Sequence, residues 1–310
     1  MEHRAIGRSG IDVSRLILGC GNFGGIGSSP GLFGAGETEG EAHVLLDAAW
    51  EAGITTFDTA DAYGGGRSES YLGSWMRSRN VRPVLTTKTF NPMSVGADSG
   101  LSGDRIRRQL DSSLERLGVD QIDLYFAHAM DPATPLEDTI TAFAELEQAG
   151  KILAWGGSNV DAAWIEAAQP MAVQNSYSLL DRDDEHEVFP VVAARGLGYT
   201  PFSPLMGGWL TGKYRRGEEP PAGSRMTLRP EPYLHLQEDR VYDALEGLEA
   251  QANERATTPA SLAIAWLLAH PHVTAVVVGP RRPEQLRPAL DALELDLSPP
   301  ERDQLTKLFT

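Results

Sequence analysis

The chain has 310 residues, and its 27 basic and 43 acidic side chains leave a formal net charge of −16, which opposes nucleic-acid and anionic-membrane partners because phosphates are repelled at long range. Hydrophobic residues make up 41% of the chain, which excludes wholesale disorder, and the single cysteine, Cys20, excludes a disulfide framework. No apolar run reaches the ~18 residues of a membrane span, and Asp12, Ser14 and Arg15 interrupt the stretch a secretory signal needs, so a soluble, cytoplasmic protein is predicted.

In chain order, short β-rich apolar runs predict strands over 15–18, 54–57, 84–87, 122–126, 152–156, 172–174, 198–202 and 275–278. Amphipathic stretches lie between them, one marked by Leu110, Leu114 and Leu117, another by Ile140, Phe143, Ala144 and Leu146. Thr38-Glu39-Gly40-Glu41 and Ser102-Gly103-Asp104 read as helix starts, Gly118 and Gly150 as helix stops. After the seventh strand comes a long Gly/Pro-rich segment, 207–232, then helices over 238–252 and 259–269. A last helix is predicted over 284–290. Eight strands alternating with helices require a parallel sheet, closed as an α/β barrel or open and doubly wound. No hydrophilic linker divides the chain, so one domain over 1–310 is expected. Every enlarged loop follows a strand, which in a (β/α)8 TIM barrel puts them all on the C-terminal face, where barrels keep their active sites.

Gly19, Gly21 and Gly24 form a literal G-x-G-x-x-G after the first strand. A dinucleotide-binding open sheet needs a helix to start inside that motif, so that its N-terminus meets the pyrophosphate. Gly25-Ile26-Gly27-Ser28-Ser29-Pro30-Gly31 cannot hold one, so the motif reads as a glycine loop at a barrel mouth.

Three strand ends carry ionisable groups. Asp58 closes the second strand and Tyr63 follows in its loop; taken alone, they read as a turn residue and a half-buried aromatic. Lys88 closes the third strand, where it could be a Schiff-base nucleophile, a phosphate ligand or the partner of a carboxylate. His128 follows the fourth strand, and no second histidine or cysteine at ligand spacing accompanies it, so no metal site is expected. A barrel gathers these four groups at one mouth. There a lysine ammonium would favour the phenolate and lower the tyrosine pKa, Asp58 would hold the lysine, and His128 could orient a substrate oxygen. No nucleophile–base pair accompanies them, and the chemistry that needs only one positioned proton is hydride transfer.

The chain resembles the aldo-keto reductases, in the subgroup that includes potassium-channel beta subunits and related bacterial reductases. The resemblance is carried by Phe57-Asp58-Thr59-Ala60-x-x-Tyr63-Gly64, Thr87-Lys88, Asp123-Leu124-Tyr125-x-x-His128, Gly157-Ser158-Asn159, Gln174-Asn175-x-Tyr177-Ser178, Ser203-Pro204-Leu205 and Leu210-Thr211-Gly212-Lys213-Tyr214. It implies a (β/α)8 barrel that binds NADPH in extended form and reduces a small-molecule aldehyde or ketone. In that case Tyr63 is the general acid, Lys88 and Asp58 its tuning pair, and His128 the orienting group. Ser158, Asn159 and Gln174 would hold the carboxamide and Phe202 would stack on the nicotinamide. Ser203, Leu205, Gly207 and Lys213 would line the pyrophosphate, with Gly19 and Cys20 on the cofactor side of the first loop. Gly279 and Arg281 after the eighth strand, with Gln285, would take the adenosine 2′-phosphate end. Gly21 stands close to where relatives carry a bulky pocket residue, leaving room beside the carbonyl, with Phe23, Phe90, Met93 and Met130 as apolar walls. Ala289 replaces an asparagine that commonly contacts adenine, and Trp155 stands where a smaller aliphatic residue is usual. The resemblance leaves open an NADP(H)-binding regulatory module with residual turnover, and the residues alone leave open an aldolase-type Lys88.

Overall fold

The structure, a computed structural model, describes all residues from Met1 to Thr310. Its strands are β1 (His3–Ala5), β2 (Asp12–Ser14), β3 (Leu16–Gly19), β4 (Thr56–Asp58), β5 (Val84–Thr89), β6 (Ile122–Ala127), β7 (Ile152–Ser158), β8 (Ala172–Gln174), β9 (Gly198–Tyr199) and β10 (Val276–Val278). From β3 to β10 the strands pair in parallel, in the order β10-β3-β4-β5-β6-β7-β8-β9. The ring closes where Thr274 N donates to Tyr199 O at 2.8 Å and Val277 N to Pro201 O at 2.9 Å. With helices outside the strands, this is the (β/α)8 barrel, and the doubly wound alternative is excluded.

Strand alternation sorts the side chains into two cores. Ile17, Leu124, Phe126, Ala154, Ala172 and Val277 point inward and pack together, while a much larger shell lies between strands and helices. The β1–β2 hairpin, absent from the sequence reading, adds Ile6, Ile11 and Val13 to the inner core. Its Gly7 abuts Gly198, which starts β9, and Met171, just before β8, so the hairpin plugs the end opposite the mouth.

The predicted helix signals hold locally. Thr38 and Glu41 form a reciprocal capping box on the helix Glu39–Glu51, and Gly118 ends Gly103–Leu117 with φ 70°. The loop after β3 contains only a short 3₁₀ turn, Pro30–Leu32, and no phosphate-binding helix. The expected helix over 284–290 is instead a 3₁₀ turn, Pro283–Leu286, running into a short helix, Arg287–Ala292. Pro288 lacks the N–H that would extend the first turn, which explains the break. No helix is long and apolar enough to cross a membrane.

Candidate active site

Alternation also builds the site. Phe126 points into the barrel, so His128, two residues on, points into the mouth one layer higher. On β5, Thr86 and Lys88 share the inward face, and Thr86 is in register with Asp58 of β4. Tyr63 arrives from the β4 loop. Gly64, Gly65 and Gly66 follow it with φ of 59°, 68° and 90°, a reversal that glycine makes without steric cost. A Cβ on Gly64 would stand 2.5 Å from Phe23 O, so the turn is packed as well as bent.

Below the mouth lies a buried ion pair. Lys88 Nζ donates to Asp58 Oδ2 at 2.5 Å and to Thr59 O at 2.8 Å; the side chains are 1% and 4% exposed. Asp58 Oδ1 accepts from Thr86 Oγ1 at 2.5 Å and Gln174 Nε2 at 3.1 Å. A pair taken out of water needs these extra partners, because Coulomb attraction alone does not offset two desolvated charges. Lys88 Nζ stands 5.3 Å from the centre of the Tyr63 ring. Burial alone would depress the Lys88 pKa, but Asp58 and Tyr63 outweigh it and leave the ammonium above its ordinary value.

The Tyr63 hydroxyl and His128 Nε2 lie 3.5 Å apart, with their rings edge-on. Burial raises the Tyr63 pKa, and the nearby Lys88 charge pulls it only partly back. The sequence expectation of a lowered phenol is therefore corrected. Lysine acts in the expected direction, burial acts more strongly, and the phenol keeps its proton. Burial, then Lys88, holds the His128 pKa down at about 3, so its imidazole is neutral near pH 7. Its tautomer is set by a residue missed at the sequence level. Asn91 Nδ2 sits 3.3 Å from His128 Nδ1, and an amide nitrogen only donates. Nδ1 thus accepts, and the proton sits on Nε2, beside the Tyr63 hydroxyl. Asn91 is itself held by buried Arg105, whose guanidinium donates to Asn91 O at 2.7 Å and Thr89 Oγ1 at 2.8 Å. Two neutral donors, Tyr63 and His128, converge on one point where an oxygen gaining charge would sit.

A cavity of about 1610 Å³ opens from this point. Asp58, Tyr63 and His128 border it, and Lys88 lies just beneath. Gly19, Gly21, Ser158, Asn159, Gln174 and Phe202 border it around the mouth. Ser203, Leu205, Gly207 and Lys213 border it from the long loop after β9, and Gly279, Arg281 and Gln285 from the loop after β10. Cys20 does not: its side chain is fully buried in the outer core, one position out of phase with Gly19. The four expected apolar walls also lie elsewhere. Phe23 is buried in the outer core, Phe90 packs against that core, Met93 packs on the Gly65–Gly66 turn, and Met130 is exposed. The cavity is bordered instead by Gly21 beside Tyr63 and by Asn91 beside His128. A Cβ on Gly21 would stand 3.6 Å from the Tyr63 ring, in ordinary contact. Trp155 faces outward, stacked on Phe143 at 4.9 Å, and leaves the cavity untouched. Thr86 was legible by alternation from Lys88; Asn91 and Glu37, which pairs with Arg281, carried no local signal.

The model of the aldo/keto reductase family matches residues 15–309. The chain is 36% identical to a Bacillus subtilis protein named uncharacterized oxidoreductase YrpG, over 100% of this chain and 96% of that protein. It is 34% identical to a probable voltage-gated potassium channel subunit beta of Oryza sativa subsp. japonica, covering 95% and 92%. It is 30% identical to versiconal hemiacetal acetate reductase of Aspergillus parasiticus, covering 100% and 97%. With a Tyr63–His128–Lys88–Asp58 cluster at the mouth of a (β/α)8 barrel and likeness along almost its whole length, the chain belongs to the aldo/keto reductase family, oxidoreductases that work with a nicotinamide cofactor.

Proposed function

We propose that this protein is a cytoplasmic, NADPH-dependent carbonyl reductase that reversibly converts a small-molecule aldehyde or ketone to the alcohol, acting as one domain. The observation that carries the reading is the 3.5 Å approach of the Tyr63 hydroxyl to His128 Nε2 above the Lys88–Asp58 pair. The cavity suits an extended dinucleotide in its donors and acceptors. Asn159 and Gln174 present amides near Tyr63, and Gly207 and Gly208 bring bare backbone beside Lys213. A Cβ on Gly208 would stand 2.2 Å from Lys213 Nζ, so a side chain there would fill the cradle. Arg281 and Arg282 supply cations to meet a 2′-phosphate in a chain whose overall charge opposes anions.

The cofactor, when bound, supplies the hydride. Everything else falls to the chain. His128 Nε2–H and the Tyr63 hydroxyl hold the carbonyl oxygen between them, which fixes the carbonyl carbon above the mouth. As that oxygen gains charge, Tyr63 gives it the phenolic proton, and the Lys88 ammonium stabilises the phenolate left behind. Asp58 keeps Lys88 in place throughout. A panel of aldehydes, ketones and sugars, read by NADPH oxidation, tests the assignment: sustained turnover of at least one carbonyl class is expected.

A second reading draws on the relatives named as potassium channel subunit beta. In it the chain is an NADP(H)-binding module with residual turnover and the cofactor acts as a signal. Tight NADPH binding without steady turnover of any carbonyl in the panel would favour it.

A further inference from the structure

Arg281 does not face the cavity alone. Glu37 ends the glycine loop after β3, directly before the Thr38 cap of the first helix. Its backbone is tied on both sides, with Glu37 N donating to Asn22 O at 2.9 Å and Glu37 O accepting from Gly24 N at 2.8 Å. A Cβ on Gly36 would stand 1.9 Å from Asn22 O and 2.2 Å from Gly25 O, so the chain has no room to shift there. The carboxylate is therefore fixed. It is 5% exposed, its Oε1 accepts from Arg281 Nε at 2.5 Å, and its Oε2 has no hydrogen-bond partner. Arg281 is 39% exposed and borders the cavity beside Arg225, which donates to Asn22 Oδ1 at 2.5 Å.

We infer that Glu37 is a specificity-determining residue that competes with a 2′-phosphate for Arg281, so that the chain separates NADPH from NADH less sharply than Arg281 alone would. The inference rests on the proposed role of Arg281 toward that phosphate. Two effects of Glu37 oppose each other. By holding Arg281 through Nε it pre-orders the guanidinium, which is worth roughly two- to tenfold in affinity for one side chain. By staying in place as an anion it also cancels the arginine charge and repels a phosphate that carries close to two negative charges. Like charges held side by side cost more than ordering one rotamer, even after the solvent screening that a partly exposed arginine receives. Competition therefore wins. NADH lacks the phosphate and does not register it.

The test is a fluorescence titration of the cofactor-free protein with NADPH and, separately, NADH. Glu37→Gln keeps the shape and removes the charge; the NADPH Kd should fall about tenfold, with NADH changed less than about twofold. In an Arg281→Ala background most of that gain should vanish. Glu37→Asp withdraws the carboxylate by one methylene and should give a smaller selective gain, which carries the test if Glu37→Gln does not fold. An unchanged NADPH/NADH ratio, or a selective loss of NADPH affinity, in the Glu37 variants overturns the inference. The two ideas fail separately. Arg281→Ala losing both cofactors equally refutes the role of Arg281. A selective NADPH loss in Arg281→Ala with no change of ratio in Glu37→Gln refutes only Glu37.

Discussion

Replacing Lys88 by Met removes the ammonium at the centre of the site and leaves the space filled. Asp58 is then a buried carboxylate with two donors, Thr86 Oγ1 and Gln174 Nε2, where it had three. Breaking a buried pair on one side costs about 3–5 kcal/mol, and the two surviving hydrogen bonds argue for the lower end, about 3 kcal/mol. The same change weakens the acid. At 5.3 Å from the Tyr63 ring, a unit charge is worth about 3 kcal/mol at an effective dielectric of 20, and losing it raises the phenol pKa further. Urea unfolding of wild type, Lys88→Met and Lys88→Met/Asp58→Asn separates the two effects. The double variant removes the stranded charge, so it should recover at least half of the lost stability and none of the activity. The sign of the pH dependence is fixed too. In wild type the raised Lys88 contributes stability that is fully present at neutral pH and is lost only above its ordinary value near 10.4. A single variant as stable as wild type, or a double variant no better than the single, refutes this reasoning.

Three further outcomes follow from particular contacts. Asn91→Leu removes the donor that keeps the His128 proton on Nε2, and turnover should fall about tenfold, while Asn91→Asp should also raise the His128 pKa from its value of about 3, seen as a new ionisation in the pH–rate profile. Asp61 is fully buried with neither carboxylate oxygen hydrogen-bonded, and burial followed by Glu69 raises its pKa to about 7. Its contribution is present below about pH 4 and lost as pH rises through 7, so Asp61→Asn should add about 1–3 kcal/mol in urea unfolding at pH 8 and nothing at pH 4. Gly21→Trp should cover the Tyr63 ring and shift preference toward the smallest aldehydes, measured as kcat/KM ratios across a size series.

Strand alternation made the reacting groups legible. Asp58, Lys88 and His128 close three successive strands, and the proline- and glycine-rich run after Gly24 leaves no room for a dinucleotide-binding helix. What escaped depended on distant partners or on very short elements. The β1–β2 hairpin has strands of three residues, too short to show a period. Arg15 looked like the start of a strand, but it is buried with its guanidinium donating to Val273 O, Thr274 O and Leu268 O, more than 250 residues away. Phe23 and Phe90 looked like pocket walls because they flank the mouth, yet the hydrophobic effect takes them into the outer core and leaves glycine and asparagine at the cavity. Glu37 and Arg281 are 244 residues apart, and only the closed ring brings them together.

In the proposed reaction Tyr63 donates the proton to the carbonyl oxygen and does nothing for the cofactor. Turnover and NADPH affinity measured side by side in wild type and Tyr63→Phe test it most directly. Loss of the one hydroxyl beside His128 Nε2 should cut turnover by about 10²–10⁴ and leave the NADPH Kd within about twofold. Near-normal turnover in Tyr63→Phe, or a loss of turnover matched by a loss of NADPH binding, would contradict it.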